Sequence, residues 1–271
     1  MTASSASAAS AAPQIDLTGQ KVLVTGGSRG IGRGIALACA RAGADVAVNY
    51  VKSAEAAAET VAEIQKLGRK ATALQGDMSK PADVKRVFAG AKEFLGGLDA
   101  AAINAGIASK AVFVRETADE EIERVFAVDL LGAYYCAREA AAIFHEQKHG
   151  LIVMISSVLA QTRSAKMGPY AVAKAALEGL MTMLAREEAQ ARVRVNNILP
   201  GLVNTDMGLK VVKPMGFKEV SQLGPAFPLG RVCEPEDIGN LFAFLASPAG
   251  SYITGQSIMV EGGSTLVKGM F

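Results

Sequence analysis

Short apolar runs alternate with longer segments of helical periodicity along almost the whole chain. Residues 21–25 form the first run, which ends in Gly26-Gly27-Ser28-Arg29-Gly30-Ile31-Gly32. Apolar positions then recur at helical spacing to about Ala42, where Gly43 stops them. The same alternation predicts strands at 45–50, 71–75, 100–104, 151–156, 194–199 and 256–260. Helices are expected at 54–67, 81–94, 119–146, 169–190 and 235–246, with Pro169 well placed in a first helical turn. Strands joined by helices of this length pair in parallel through right-handed crossovers. Runs such as Val22-Leu23-Val24 and Ile152-Val153-Met154 are apolar on both faces, as strands covered from both sides must be. The expected architecture is α/β, one doubly wound parallel sheet of about seven strands with helices on both faces.

Two segments fall outside the pattern. Residues 202–228 hold several Gly and Pro and no clear period, which marks a substrate lid or a flexible insertion. Residues 1–14 are mostly Ala, Ser and Thr and lack the basic segment and Leu/Val-rich core of a signal peptide. They are expected to form a disordered tail, leaving 15–271 as one domain.

Composition narrows the classes further. Of 271 residues, 50% are hydrophobic and 20% charged, and the net charge is +2, which suits a well-buried globular protein. No Lys/Arg run points to nucleic acid or an anionic membrane, and no apolar run approaches the roughly 18 residues of a membrane span. Cys39, Cys136 and Cys233 are widely spaced, without a CxxC or Cys/His cluster, so neither a disulfide framework nor a zinc site is indicated and no metal is expected. His145 and His149 fall near a polar helix end and are expected at the solvated surface. A reducing cytoplasm is the natural setting.

Ligands of such sheets bind at the carboxyl ends of the strands. The glycine loop, Asn104-Ala105-Gly106, Ser156-Ser157 and Pro200-Gly201 all follow predicted strand ends, so they converge on one rim. Gly26, Gly30 and Gly32 lie between a strand and a helix, where backbone amides and a helix N-terminus can receive a pyrophosphate. The end of the second strand reads Val48-Asn49-Tyr50-Val51-Lys52-Ser53, without the acid that would meet the free ribose hydroxyls of NAD. Asn49 and Ser53 can donate to a phosphate, and Lys52 or Arg29 can supply charge. NADP (NADPH) is therefore favoured, with NAD as the other candidate. Tyr170 and Lys174 are one helical turn apart, so the ammonium can sit beside the phenol and pull its pKa below the usual value near about 10. That would make Tyr170 a general acid/base. Chance alone supplies such a pair about 0.3 times in a chain of this composition, so the surrounding motifs decide its meaning.

With these motifs in order, the chain resembles the short-chain dehydrogenase/reductase family, in its branch of 3-oxoacyl-carrier-protein reductases and glucose dehydrogenases. The resemblance runs from about Leu17 to Gly263. It rests on Thr25 to Gly32, Asp77, Asn104-Ala105-Gly106, Ser157, Tyr170-Ala171-Val172-Ala173-Lys174, Pro200-Gly201 with Thr205, and Tyr252-Ile253-Thr254-Gly255-Gln256 through Gly262-Gly263. It implies a Rossmann fold and an oxidoreductase. In this resemblance Tyr170 exchanges a proton with the substrate oxygen, Ser157 hydrogen-bonds that oxygen, and Lys174 holds the nicotinamide ribose. Asp77, with Met78 beside it, would meet the adenine, Asn104-Ala105-Gly106 the adenosine ribose, and Val203 with Thr205 the carboxamide. Asp129 stands where the family usually has an asparagine beside a proton-relay water. The family's water contact uses the backbone carbonyl, which Asp129 retains, so a tolerated change is expected.

The pocket is expected between Ile107-Ala108, residues 158–167 and the lid, with Met167, Met207, Met215, Phe217 and Phe227 as candidate walls; at least half of the lid residues are expected to pack the lid itself. Three activities fit: reduction of a small ketone, or oxidation of a sugar, polyol or other secondary alcohol; reduction of a 3-oxoacyl thioester on a carrier protein; or non-catalytic dinucleotide binding. Intact Ser157, Tyr170 and Lys174 favour the first two over the third. The resemblance also implies a homotetramer, with helices 119–146 and 169–190 against a neighbour and residues 265–271 closing near another subunit.

Overall fold

The computed structural model describes residues 15–267; the tail expected at 1–14 and residues 268–271 of the C-terminal segment lie outside the described residues. In chain order the first half consists of β1 (Lys21–Val24), α1 (Gly30–Arg41), β2 (Asp45–Tyr50), α2 (Ala54–Lys66), β3 (Ala71–Gln75), α3 (Pro81–Leu95) and β4 (Ala100–Ile103). The second half consists of α4 (Asp119–Val125), α5 (Ala133–Gln147), β5 (Gly150–Ile155), α6 (Leu159–Thr162), α7 (Gly168–Glu187), β6 (Val193–Pro200), α8 (Asp206–Val212), α9 (Pro235–Ala246) and β7 (Ser257–Val260).

All seven strands join one parallel sheet in the order β3-β2-β1-β4-β5-β6-β7. This is the doubly wound, Rossmann-type order, and its direction of winding reverses between β1 and β4, where a crevice opens at the carboxyl ends. The strands' alternation sorts their side chains into two cores. Leu23, Ala101, Ile152 and Val195 face α3, α5 and α7, where Phe88, Phe144 and Leu177 complete one cluster. Val22, Val24, Ala102, Val153 and Ile198 face the opposite layer, with Ile35 and Cys39 of α1, Ile64 of α2 and Phe242 of α9. The central strands β1, β4 and β5 are thus apolar on both sides because each side is covered by helices.

Two segments differ from the sequence expectation. The helix expected across 119–146 is α4 and α5 joined by a π-helical turn over Phe126–Gly132, which holds Asp129. A π turn adds one residue per turn, a change too local for a periodicity of apolar positions to register, and such turns recur at functional sites. Gly132 lies against the Met78 carbonyl, where a Cβ would come within 3.0 Å. Residues 202–228 are not structureless: Thr205 caps α8 by accepting from the Gly208 N–H at 3.1 Å, and short 3₁₀ turns follow at Lys213–Met215 and Val220–Ala226. Leu202, Val212, Val220, Phe227 and Val232 make a separate small core there, so Phe227 and its neighbour Phe217 pack the lid itself. Met207 and Met215 stay exposed.

α1 and α9 cross at glycines. A Cβ on Gly34 would lie 2.5 Å from the Pro235 carbonyl, and one on Gly239 2.5 Å from the Gly34 carbonyl. On Gly90 of α3 a Cβ would make only ordinary contact with Leu74, at 3.5 Å. Gly34→Ala should therefore lower stability by about 1–3 kcal/mol through overpacking. Gly90→Ala should raise it by about 0.5–1 kcal/mol through helix propensity. Denaturant melts of the two variants test the opposite signs.

Candidate active site

The site is assembled by strand ends, and polar side chains at those ends are mostly spent on holding backbone. Thr25, just past β1, donates from its hydroxyl to the Ala102 carbonyl (3.3 Å) and accepts from the N–H groups of Asn104 (2.9 Å) and Ala105 (3.1 Å). Asn104 returns its amide to the Thr25 (2.9 Å) and Gly26 (3.2 Å) carbonyls. These bonds fasten the glycine loop to Asn104-Ala105-Gly106 across the crevice. Gly26 has φ +64°, and a Cβ on Gly32 would collide with the Gly26 carbonyl and the Asn104 amide, so only glycine fits both places.

α1 begins at Gly30 behind Arg29, with no side-chain cap, so the backbone donors of Gly30, Ile31 and Gly32 face the crevice without one. Together with the helix dipole, this is a cradle suited to a pyrophosphate, and the residues present fit a dinucleotide. Thr205 lies across it, its methyl 3.4 Å from where a Gly30 Cβ would be. Ser28 is buried, its carbonyl accepting from Thr60 (3.3 Å), and the Ile31 side chain packs on the core behind the loop. Arg29 extends into solvent and pairs with Asp206 of α8 at 3.7 Å.

Asn49 does not face the cradle as a free donor. It is 0% exposed; its Oδ1 accepts from the Gly26 N–H (3.2 Å), and its Nδ2 donates to the Leu74 (3.2 Å) and Gly76 (2.9 Å) carbonyls. A side chain saturated in this way positions the loop, which corrects its assignment as a phosphate donor. Lys52 is exposed and Ser53 half-buried, both just beyond β2. After β3, Asp77 accepts from the hydroxyl (2.7 Å) and N–H (3.0 Å) of Ser79. Met78 turns inward against Cys136, so its side chain belongs to the core. Pro200 ends β6 and Gly201 follows it, with the Pro200 carbonyl accepting from Val158 and the Gly201 N–H donating to Val260, both at 3.0 Å. Val203 is buried, and its carbonyl accepts from the Thr205 hydroxyl at 3.3 Å.

α7 carries Tyr170 in its first turn and Lys174 in the next. It is tied to the sheet by polar contacts: Ser156 donates to the Lys174 carbonyl (3.0 Å), and buried Asn197 of β6 to the Leu177 carbonyl (3.3 Å). The Lys174 ammonium, 4% exposed, donates to the Ile155 carbonyl at the end of β5 (2.9 Å). It also stands over the Tyr170 ring, 5.5 Å from its centre. Ser157 accepts from the Leu159 N–H (3.2 Å), which leaves its own proton for the Tyr170 hydroxyl, its hydrogen-bond partner. Asp129 is fully buried below, Oδ1 accepting from the Ile107 N–H (2.8 Å) and Oδ2 4.0 Å from the Lys174 Nζ.

The phenol's proton affinity differs from the expectation. Burial pushes the Tyr170 pKa up; Lys174 pulls it down, Asp129 pushes it up again and the Ser157 hydrogen bond lowers it, leaving it above the ordinary value. The lysine acts in the expected direction. Desolvation outweighs it because the phenol is enclosed and the ammonium is shared with Ile155 and Asp129.

Ser157, Tyr170, Lys174 and Asp129 therefore meet at one place, and the glycine loop, Asn104-Ala105-Gly106 and Thr205 border the adjoining crevice. Sequence reasoning missed the holding roles of Thr25, Ser156 and Asn197. Its available signal was a polar residue at the end of, or within, an otherwise apolar strand.

Known proteins place this arrangement. Residues 26–265 match the family described as enoyl-(acyl carrier protein) reductase (adh_short_C2). A hydroxynaphthalene reductase-like protein of Metarhizium robertsii is 39% identical over 260 residues, covering 92% of this chain and 96% of its own. An L-rhamnose 1-dehydrogenase (NAD(P)(+)) of a Sphingomonas species is 38% identical over 248 residues, covering 91% and 96%. The crystal structure of a short chain dehydrogenase from Burkholderia cenocepacia in complex with NADP superposes with a TM-score of 0.81 at 35% identity, covering 91% of this chain and 98% of that one. The chain belongs to the short-chain dehydrogenase/reductase family and is an oxidoreductase acting on alcohols or ketones with an NAD(P) cofactor.

Asn49 gives a test of how the cradle is held. Asn49→Leu strands the Gly26 N–H and two buried carbonyls, so stability should fall by about 3 kcal/mol and dinucleotide affinity with it. A loss under about 0.5 kcal/mol in a denaturant melt would contradict the holding role.

Proposed function

We propose that the protein is an NADP-dependent oxidoreductase that moves a hydride between the nicotinamide and a small ketone or secondary alcohol, a sugar or polyol among them. The observation that carries this is the contact of Ser157, Tyr170 and Lys174 at the end of β5, beside the glycine cradle.

The nicotinamide supplies or accepts the hydride. The residues of this chain govern the proton and the oxygen. In reduction, the Tyr170 hydroxyl gives its proton to the carbonyl oxygen; in oxidation, the phenolate takes it from the alcohol. Ser157 has its acceptor side satisfied by Leu159, so its hydroxyl donates to the oxygen on which charge develops. Lys174, held through the Ile155 carbonyl, offers its other N–H donors to the ribose side of the crevice and favours the phenolate. Burial raises the Tyr170 proton affinity, so at neutral pH the phenol holds the proton that carbonyl reduction consumes. Arg29 and Lys52, both exposed, and Ser53 support NADP, since no carboxylate stands at the end of β2 to meet free ribose hydroxyls. In this account Asp77 and the backbone of Met78, just after β3, would meet the adenine, and the backbone of Asn104-Ala105-Gly106 its ribose. Unpaired Cys39, Cys136 and Cys233 are consistent with the cytoplasm. Among the described residues no helix is long and apolar enough to cross a membrane.

Residues 202–228 act as the substrate lid in this account, with Met207 and Met215 exposed on it. The carrier-protein alternative differs in substrate, and the non-catalytic one in turnover. A panel of ketones, sugars, polyols and 3-oxoacyl thioesters with NADPH and NADH separates them. Turnover of the first classes with tighter binding of NADPH is expected. Thioester-only turnover, or equal or tighter NADH binding, would overturn the corresponding part, and no turnover on any substrate would revive dinucleotide binding alone. Tyr170→Phe should lower kcat about a thousandfold and leave NADPH affinity within a few-fold.

A homotetramer is part of the same proposal. Leu131 on the π-helical turn, Tyr134 on α5, and Val172 and Met183 on α7 are exposed apolar residues on neighbouring elements, where a second copy would cover them. Sedimentation equilibrium should return four chains per particle; a monomer at micromolar concentration would refute it.

A further inference from the structure

Asp129 is a carboxylate in a place where an uncharged amide would make the same hydrogen bond. It is 0% exposed and lies on the π-helical turn between α4 and α5. Oδ1 accepts from the Ile107 N–H at 2.8 Å; Oδ2 has no hydrogen-bond partner among the described residues. The nearest cation to Oδ2 is the Lys174 ammonium, at 4.0 Å, itself 4% exposed and donating to the Ile155 carbonyl. That separation is too long for a hydrogen bond, yet in an enclosed setting it carries a strong Coulombic attraction. A buried carboxylate is costly unless compensated, and Lys174 is the group placed to compensate it.

The charged groups acting on Asp129 from the surrounding elements are few. From α7 come Lys174 and the ionisable Tyr170, and from α4 comes Arg124 at longer range, its guanidinium held by Glu121 at 2.9 Å. The loop after β4 contributes a neutral N–H from Ile107, with Lys110 further along it bonded through its own N–H to Glu121. β5 contributes a neutral carbonyl to Lys174. Burial raises the proton affinity of Asp129; Lys174, the Ile107 N–H and Arg124 oppose that rise without cancelling it, so the carboxyl stays above the ordinary carboxylate range.

We propose that Asp129 is a positioning residue that serves as the titratable counter-ion of Lys174, so that Tyr170 reaches its base form only at more alkaline pH than an uncharged residue at 129 would give. The ammonium then divides its field between a phenol and a carboxylate. At neutral pH Tyr170 keeps the proton that carbonyl reduction consumes, and alcohol oxidation is displaced to higher pH. The consequence for turnover rests on the proposed acid/base role of Tyr170; the counter-ion itself does not.

The test begins without turnover. Ultraviolet titration of phenolate absorbance in the cofactor-free protein and in Asp129→Asn, each with its Tyr170→Phe counterpart subtracted, isolates Tyr170. Its ionisation should move down by about one pH unit in Asp129→Asn. The rising limb of kcat against pH for alcohol oxidation should move by the same amount, with KM little changed. An unmoved Tyr170 titration in folded Asp129→Asn overturns the proposal. If that variant fails to fold, Lys174→Met decides: without its cation the carboxyl should take up a proton, giving a protonated-carboxyl infrared band at neutral pH that the unaltered protein lacks. An unchanged spectrum overturns the proposal. A shifted Tyr170 titration with no turnover on any substrate would uphold the counter-ion and reject the acid/base role.

Discussion

A lysine ammonium held almost out of reach of water is the constraint on which the site depends. Lys174 is 4% exposed, so its charge must be met by groups the protein itself supplies. The Ile155 carbonyl, the face of the Tyr170 ring and the Asp129 carboxylate meet it from β5, from its own helix and from the π turn. Each of those elements is thereby fixed relative to the others. Moving α7 by even a fraction of a turn would strand the charge, which gives a physical reason for the further ties from Ser156 and Asn197.

The crevice follows a related logic with neutral groups. Backbone at strand ends loses its ladder partners, and buried backbone must be satisfied somewhere. Thr25, Asn49 and Asn104 supply those partners from side chains. Because they do, the first backbone donors of α1 keep no side-chain cap and stay available to a ligand. The polar residues of this rim thus divide into those that hold the loops and those that face what the loops enclose. Asn49 belongs to the first group although its position along the chain suggested the second.

The segment after Gly201 is built differently. Its apolar residues form their own small cluster around Val212, Val220 and Phe227. It meets the glycine loop through Thr205 and the exposed Arg29–Asp206 pair. An ion pair of that exposure contributes little to stability. The segment is therefore folded largely by its own core, while its start is tied to the main body by Val203, which packs in the α1/α9 core and is bridged to Cys233.

The alternation of apolar runs and helical periods was enough, by itself, to give the seven strands, their parallel pairing and the rim on which the motifs gather. Burial on both faces of a strand and the length of a crossover helix are both written in local sequence. Tyr170, Lys174, Ser157 and the glycine loop were legible for the same reason, since each is a short spacing at a strand or helix end. Tertiary structure alone decided the rest. The π turn at Phe126–Gly132 is one extra residue in a helix, and α8 is too short for its period to stand out. Whether Asn49 donates to a ligand or to Leu74 and Gly76 depends on β3 lying alongside. The proton affinity of Tyr170 depends on burial and on Asp129, forty-one positions earlier in the chain. Spacing along a helix can bring a cation to a phenol, but desolvation is a property of everything packed around the pair, and no local pattern records it.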